Sequence, residues 1–234
     1  MPLQPLPLIQ RNPKGGARYY FNEHKPFIRY SSVTSILSAT QSNATKYALK
    51  KWRAKLIAEG KDPEESRLEA ARRGSRIHDW FEGFLNGLDP AMPEDIQPWC
   101  ERLEKSVLWS ALDHVICTEH QVCSDEGIVP FAGTLDALIK LKTGEIVLLD
   151  LKTKAANKGK PSKQIRNAAM CQCQAYRLAL KENYGIGVDR FIALYAFPDQ
   201  PPVPVGSAGK DLAKHETHWQ NRVEAYQMIQ SASA

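Results

Sequence analysis

The sequence predicts an α/β fold, with a mixed central sheet flanked by helices, a core in the order β-β-β-α-β and a helical elaboration before it. A change of hydrophobic period leads to this prediction. Apolar residues recur at helical spacing between residues 43 and 112, and strand-like segments follow from residue 115 to residue 151. One long helical segment and one further strand come next, as in an α/β unit.

The composition is that of an ordinary globular protein and excludes some classes. Of the 234 residues, 43% are hydrophobic and 24% are charged. No apolar run approaches the roughly 18 residues of a membrane span, so we expect no membrane partner. The first residues lack the apolar core of a signal peptide, and the five cysteines are dispersed. Both features favour a reducing compartment and a cytoplasmic protein.

Residues 1–63 are predicted to form an N-terminal segment that is proline-rich and irregular at first and then helical. Its elements are a short hairpin around 17–20 and 26–30, a helix at Val33–Ala39 and a helix at Asn43–Glu59. The last helix carries a run of basic residues with no acidic residue among them. These are Lys46, Lys50, Lys51, Arg53 and Lys55.

Two aromatic residues, Tyr47 and Trp52, are interleaved with this basic run. On an exposed helix they would offer stacking surfaces beside phosphate contacts for single-stranded nucleic acid. In the alternative interpretation, the basic residues form a solvated face of the helix, and Tyr47 and Trp52 point into the core. The pattern leaves both interpretations open.

The placement of charge is more informative than the net charge of +5. Residues 46–76 hold ten Lys and Arg against five Asp and Glu, a surplus that equals the whole net charge. Arg72, Arg73 and Arg76 precede His78 on a predicted helix, so we expect some of them to face the same groove as that histidine.

Residues 64–197 are predicted to form the core of a single domain, and 198–234 a loop and a C-terminal helix. The expected elements are helices at 64–88 and 93–112, strands at 115–122, 131–141 and 145–151, a helix at 164–184, a strand at 190–196 and a helix at 210–229. The third strand, EIVLLDL, is almost entirely apolar, as expected of a central strand that is covered on both faces.

Asp136, Asp150 and Lys152 are the strongest candidates for chemistry. If the turn between the second and third strands centres near 143–144, Asp136 lies beside Leu151 and diagonal to Asp150. Asp150 and Lys152 are two apart on one strand and share a face. An unpaired carboxylate in a central strand costs several kcal/mol, on the order of 2–7 for a buried polar group. Two carboxylates that share a divalent cation such as Mg²⁺, beside a lysine, suit phosphodiester hydrolysis.

Two helical pairs add to this site. Gly74 and His78 are four apart on one helix face, where the glycine allows another backbone or a ligand to approach. Gln172 and Tyr176 are also four apart, on the helix after the third strand. An amide beside a phenol suits contacts with a nucleic-acid backbone or base.

Taken together, these residues resemble the RecB-like branch of the PD-(D/E)XK nuclease superfamily, which implies a restriction-endonuclease-like core. The resemblance covers roughly residues 70–197. The matching series is Gly74-x-x-x-His78, Glu119, Gly133-x-x-Asp136, Asp150-Leu-Lys152 and Gln172-x-x-x-Tyr176. Glu119 is the least secure match, because the neighbouring Glu126 competes with it.

The resemblance also implies roles for these residues. His78, Asp136 and Asp150 would bind Mg²⁺ or Mn²⁺ with the help of the Leu151 carbonyl, and Lys152 would position the attacking water. The remaining residues, Gln172 and Tyr176, would support the site and the DNA. Relatives with an iron–sulfur cluster use clustered C-terminal cysteines, and no cysteine follows Cys173, so we expect no cluster.

The resulting prediction is a monomeric, Mg²⁺-dependent DNA exonuclease of replication, repair or recombination. Small exonucleases of this branch, from mitochondria and bacteriophages, feed a free single-stranded end through a helical arch, which residues 1–63 would supply here. A bacterial or phage-infected cell is the expected setting. Two alternatives remain, a structure-specific or double-strand endonuclease on the same core and a non-catalytic nucleic-acid-binding module.

Overall fold

A mixed eight-stranded sheet with helices on both faces organises the described residues, which in this computed structural model are 3–13, 16–155 and 161–232. The strands are β1 (Leu8–Arg11), β2 (Tyr19–Asn22), β3 (Lys25–Ser32), β4 (Leu112–Ser124), β5 (Phe131–Leu141), β6 (Ile146–Thr153), β7 (Arg190–Ala196) and β8 (Val203–Ala208). The α-helices are α1 (Val33–Ala39), α2 (Asn43–Ala58), α3 (Pro63–Leu85), α4 (Gln97–Glu104), α5 (Lys163–Tyr184) and α6 (Leu212–Ser231).

The strand order is β1-β2-β3-β5-β6-β7-β8, and β4 pairs with β5 from outside this path. The pairs β3–β5 and β6–β7 are parallel, and the other pairs are antiparallel. The segment β4-β5-β6-α5-β7 has the predicted order β-β-β-α-β, so the predicted fold class is confirmed.

Strand β5 pairs with three strands, β3, β4 and β6, so two of them must share one of its edges. The full length of one edge pairs with β4. On the other edge, Phe131 and Ala132 pair with β3, and the pairing with β6 begins only at Ala137. The sheet therefore splits beside residues 133–136, and Asp136 lies in this split.

Strand β6 is covered on both faces, as its apolar sequence predicts. Leu148 belongs to a core cluster with residues of α1, α5 and α6, whereas the adjacent Leu149 belongs to a second cluster with residues of α3 and α4. Because successive strand side chains point to opposite faces, one strand supplies both cores. The two helical layers thus lie on opposite faces of β6.

Three elements differ from the sequence prediction. The helix expected over 93–112 is α4 alone, followed by a 3₁₀ helix at Val107–Ala111 and the start of β4 at Leu112. Strand β1 lies in a segment predicted as irregular. The predicted loop at 198–209 contains β8, which is an edge strand and tolerates Pro204 because one side of it needs no ladder bonds.

In the described part of the chain, no helix is both long enough and apolar enough to cross a membrane. Residues 156–160 of the predicted loop after β6 lie outside the described residues.

Candidate metal centre

Asp136 and Asp150 come together where β5 and β6 separate. The predicted register paired Asp136 with Leu151 and is wrong by one residue, because Ala137 pairs with Leu149 and Leu138 with Leu148. Beyond Ala137 the ladder stops, and the Asp136 side chain takes its place: its Oδ2 accepts a hydrogen bond of 2.6 Å from the Leu151 amide. This bond fixes one carboxylate oxygen and leaves Oδ1 directed elsewhere.

Asp150 is the most deeply buried carboxylate of the group, with 1% of its surface exposed. Its Oδ1 accepts a hydrogen bond of 2.8 Å from Lys152 Nζ, so the shared face predicted for these two residues is confirmed. Its Oδ2 is buried and has no hydrogen-bond partner among the described residues. A buried carboxylate oxygen without a donor is costly unless a cation completes it.

His78 approaches from α3 on the other side of the split. Its Nδ1 lies 3.5 Å from Asp136 Oδ1 and 3.9 Å from Glu119 Oε1. Gly74, one turn earlier, allows this approach, since a Cβ atom there would lie 3.3 Å from Thr153 Oγ1 at the end of β6. The predicted role of Gly74 in close approach agrees with this contact.

Glu119 reaches the cluster from β4 through an unusual backbone conformation. Its φ is 42°, the only positive value among the described residues other than glycine. Such a conformation is rare in a strand and turns the side chain out of the regular alternation. Ligand atoms of His78, Glu119 and Asp136 all lie within 4.8 Å of one another, and could hold a metal ion. The competing Glu126 is exposed and lines a separate cavity beside Trp219.

The carboxylates concentrate negative potential at this point. Burial by itself lowers the pKa of His78, but the neighbouring carboxylates of Asp136 and Glu119 outweigh burial and raise it to about 10. Burial raises the pKa of Asp136, yet the neighbouring His78 imidazolium outweighs that and lowers it. For Asp150, burial raises the pKa to about 6 against the opposing charge of Lys152.

The residues present fit a divalent cation. Carboxylate oxygens suit Mg²⁺ and Mn²⁺, and an imidazole nitrogen is a ligand of first-row divalent metals. Three candidate ligand atoms converge, and the unpartnered Asp150 Oδ2 lies in the same charged group. The three converging ligands are His78, Asp136 and Glu119, the least secure residue of the matching series, whereas the implied ligand Asp150 is not one of the three.

A polar chain behind the site holds Lys152. Lys152 Nζ donates to Gln172 Oε1 at 3.1 Å, and Gln172 Nε2 donates to the Tyr176 hydroxyl at 3.3 Å. Both Gln172 and Tyr176 are buried on α5. The Tyr176 ring packs against Gly133, where a Cβ atom would lie 2.6 Å from Cε1. Gln172 therefore contacts the lysine, and Tyr176 contacts Gln172 and the sheet, while a contact of either residue with DNA stays a prediction.

A groove of about 270 Å³ opens onto Lys152 and Gln172. One wall comes from α1 and the start of α2, including Thr34 and Thr45. The other walls include Gln164 at the start of α5 and Arg222 of α6. Sequence reasoning missed Arg222, because a single arginine on a helix whose other face packs in the core carries no motif.

Helix α2 has no buried residue, and only Thr45 and Leu56 are partly covered. Tyr47 is 70% exposed and Trp52 is 39% exposed, so the interpretation that these aromatics point into the core is wrong. Four basic residues singled out for DNA binding are also exposed. These are Lys46, Lys50, Lys51 and Arg53.

The three arginines before His78 have different surroundings. Arg76 pairs with Asp95, and the Arg73 guanidinium lies over the Trp99 ring at 5.1 Å. Arg72 is exposed. Since a helix turns about 100° per residue, none of the three shares the face of His78, so the expectation that some of them face the same groove is wrong. A contact of these arginines with DNA elsewhere stays a prediction.

Cys171 and Cys173 are both buried in the core beneath α5.

Comparison with known proteins agrees with this geometry. Residues 36–233 match the model of the PD-(D/E)XK nuclease superfamily. The chain is 26% identical over 205 residues to mitochondrial genome maintenance exonuclease 1 of Homo sapiens, which covers 83% of this chain and 57% of that protein. The chain thus spans little more than half the length of this curated relative.

Two solved structures are similar in outline. One is that of the protein SSO0001, with 18% identity and a TM-score of 0.41, covering 76% of this chain and 70% of that one. The other is a proposed exonuclease from Eubacterium rectale, with 12% identity and a TM-score of 0.48, covering 70% of this chain and 68% of that one. The superfamily match spans most of the chain and includes every residue of the cluster, so this chain belongs to the PD-(D/E)XK nuclease superfamily.

Proposed function

We propose that this protein is a divalent-metal-dependent DNA exonuclease that hydrolyses single-stranded DNA from a free end, in replication, repair or recombination. The observation that carries the proposal is the convergence of His78, Glu119 and Asp136 beside the buried Asp150–Lys152 pair at the split of the sheet. Membership of a nuclease superfamily supports the reaction class.

The proposed metal ligands are His78, Asp136 and Asp150 with the Leu151 carbonyl, and Glu119 joins them from β4. Mg²⁺ or Mn²⁺ held there would polarise a phosphoryl oxygen and make a bound water more acidic. The protein's own contribution is to hold carboxylates that repel one another in one place. The Leu151 amide and Lys152 do so by fixing one oxygen each of Asp136 and Asp150.

Lys152 acts in this proposal as a cation rather than as a base. Burial lowers the pKa of Lys152, but the charges of Asp150 and Asp136 outweigh burial and hold it above its usual value. The ammonium group therefore stays protonated at neutral pH, where it orients the attacking water and stabilises negative charge that develops on the phosphate.

The preference for a single strand is supported by α2. Thr45, near the start of α2, lines the same groove as Lys152. The exposed Tyr47 and Trp52 offer stacking surfaces, and the basic residues around them offer phosphate contacts. A strand that passes along α2 would enter the groove beside the cluster. The name of the human relative supports an exonuclease over an endonuclease.

The proposed function predicts that a free end is required. End-labelled linear single-stranded DNA should be degraded to short products with Mg²⁺ or Mn²⁺, and excess chelator should stop the reaction. Covalently closed circular single-stranded DNA of the same sequence should be cut at least about tenfold more slowly, since no end can enter the groove. Equal rates on the two substrates would contradict the exonuclease and favour the endonuclease. A lack of cleavage of any DNA, with binding retained, would favour the non-catalytic module.

The basic face of α2 gives a second prediction. Charge reversal at Lys50, Lys51 and Arg53 should weaken binding of single-stranded DNA and make the slope of log K against log salt shallower by about 2, because each lost phosphate contact removes about 0.7. Fluorescence anisotropy in chelator measures this without cleavage.

The matched control for α2 reverses three exposed lysines on other elements, Lys105, Lys181 and Lys210, and so makes the same change in net charge. If the control weakens binding as much as the α2 variant, the effect belongs to net charge and α2 is only a solvated face.

A further inference from the structure

The outer face of the N-terminal strands carries aromatic and basic side chains that the proposed reaction does not use. Tyr19 lies opposite Arg11, and Phe21 lies opposite both Ile9 and Arg29. Directly opposed residues share a face of the sheet, and so do residues two apart on a strand. We call this face the N-terminal platform. Its members are Ile9, Arg11, Tyr19, Phe21, Phe27 and Arg29.

The platform is accessible, whereas the opposite face of the same strands is not. Phe27 is fully exposed, and Arg11 and Arg29 are exposed. Tyr20 and Tyr30, which point the other way, are completely buried. Phe27 is not isolated, since Tyr19 and Phe21 on the same face are only half-buried, and contiguous apolar surface of this kind marks interaction sites.

The rings and guanidinium groups of the platform are arranged for stacking. Tyr19 and Phe21 meet edge to face, with centroids 5.4 Å apart. The Arg29 guanidinium lies 4.1 Å from the centre of the Tyr19 ring. Aromatic rings beside arginine on a sheet surface suit unpaired bases, which stack on the rings while arginine contacts phosphate.

The charge of this segment favours an anionic ligand. Residues 1–32 contain five Lys and Arg and one acidic residue, Glu23. No acidic side chain belongs to the platform itself. This is a second basic segment, separate in sequence from the one around α2.

Arg18 connects the platform to the groove of the candidate metal centre. It lines a cavity of about 300 Å³ together with Tyr19 and Arg29. Its side chain also donates a hydrogen bond of 2.7 Å to Thr34 Oγ1, and Thr34 lines the groove that contains Lys152. The two concave surfaces therefore lie on either side of one arginine.

We propose that the N-terminal platform is an accessory binding site for single-stranded nucleic acid, which holds the part of the strand that lies outside the catalytic groove. Bases stack on Tyr19, Phe21 and Phe27, and phosphates meet Arg11 and Arg29. This proposal rests on the proposed function, because it takes a DNA strand as the occupant of the groove. A platform of this kind raises affinity for long strands without changing the chemistry.

The test compares affinity with strand length in the full chain, with chelator present so that binding is measured without cleavage. The variant is Phe27→Ala with Arg29→Glu, because both side chains are exposed and their loss should not unfold the protein. The matched control is Val107→Ala with Lys210→Glu, an exposed apolar and an exposed basic residue away from the platform.

Wild-type affinity for labelled oligothymidylate should continue to rise with length after the groove is filled. The platform variant should level off earlier and bind long strands about tenfold more weakly, the effect of one lost stacked base. Short strands should bind as they do to the wild type, and the control should match the wild type at every length.

If the platform variant bound long strands as tightly as the wild-type protein does, the proposal would be overturned. An equal loss on duplex DNA would also overturn it, since paired bases cannot stack on the rings. The result is separable from the proposed function. A protein that hydrolyses no DNA can still show the length effect, and an active exonuclease can lack it.

Discussion

Asp150→Asn is expected to lower the rate of DNA hydrolysis by about a thousandfold, the upper end of what removal of one electrostatic partner costs in a preorganised site. The substitution keeps the shape of the side chain and an oxygen for Lys152. It removes the charge that the buried Oδ2, which has no hydrogen-bond partner, would present to a cation. The lysine would then face one carboxylate fewer, and the metal would lose a ligand.

The same variant should keep its fold without metal. Burial raises the pKa of Asp150, so neutralising it relieves a buried charge, but it also removes the carboxylate that raises the pKa of Lys152. These two effects on the metal-free melting temperature oppose each other, so that temperature is not the diagnostic quantity. What should disappear is the increase in melting temperature that Mn²⁺ or Mg²⁺ gives the wild type. Thermal unfolding with and without metal measures this increase.

Asp113→Asn is the matched control, because Asp113 is an exposed aspartate on β4 that pairs with His114. It should hydrolyse end-labelled DNA at the wild-type rate and keep the metal-dependent stabilisation. A wild-type rate in Asp150→Asn would remove Asp150 from the site. If that variant proves unfolded, Asp136→Asn tests the same cluster from β5.

The sequence predicted which residues form the site, but it did not predict their register, because the register depends on the geometry of the turn between β5 and β6. The apolar run of β6 identified Asp150 as a buried charge, and spacing on a strand placed Lys152 beside it. The register was missed because the turn holds three residues, Lys142 to Gly144, with Gly144 at a φ of 90°. A three-residue turn with glycine in this conformation moves the centre of the hairpin by half a residue relative to a two-residue turn.

The other contributions to the site come from contacts that no local pattern encodes. Glu119 reaches the cluster only because its own backbone leaves the regular strand conformation. Exposure of Trp52 depends on what α2 packs against, and an amphipathic pattern with basic residues fits a buried or an exposed aromatic equally well. Arg18 and Arg222 line their cavities through tertiary packing of distant segments.

The order of the motifs along the chain predicted the fold more strongly than any single motif did. A strand ending in Asp-x-Lys is common, but a histidine helix before it and a Gln-x-x-x-Tyr helix after it constrain the topology. In the structure these helices cover opposite faces of the sheet, since α3 and α5 pack in different core clusters. The split in the sheet beside Asp136 is what lets residues from both faces meet.

Gly133→Ala is expected to lower the hydrolysis rate by about a hundredfold through a residue that contacts no substrate, because a misplacement of about 1 Å at a reacting group can cost that much. A Cβ atom at Gly133 would lie 2.6 Å from Cε1 and 2.7 Å from the hydroxyl oxygen of Tyr176. The ring is fully buried and cannot move aside freely. Displacement of the Tyr176 ring would pull Gln172 away from Lys152 Nζ, which lies 3.1 Å from Gln172 Oε1.

The same substitution should lower stability by about 1–3 kcal/mol, the usual cost of overpacking a core. The experiment that separates the two effects adds Tyr176→Leu to Gly133→Ala. The smaller side chain should restore the melting temperature but not the rate, because Gln172 has then lost the hydroxyl that orients it. Gly187→Ala is the matched control, since no atom lies within 4 Å of a Cβ there. If the double variant recovered the rate together with the stability, Tyr176 would only fill space, and Gln172 and Asp150 would position Lys152 without help from the tyrosine hydroxyl.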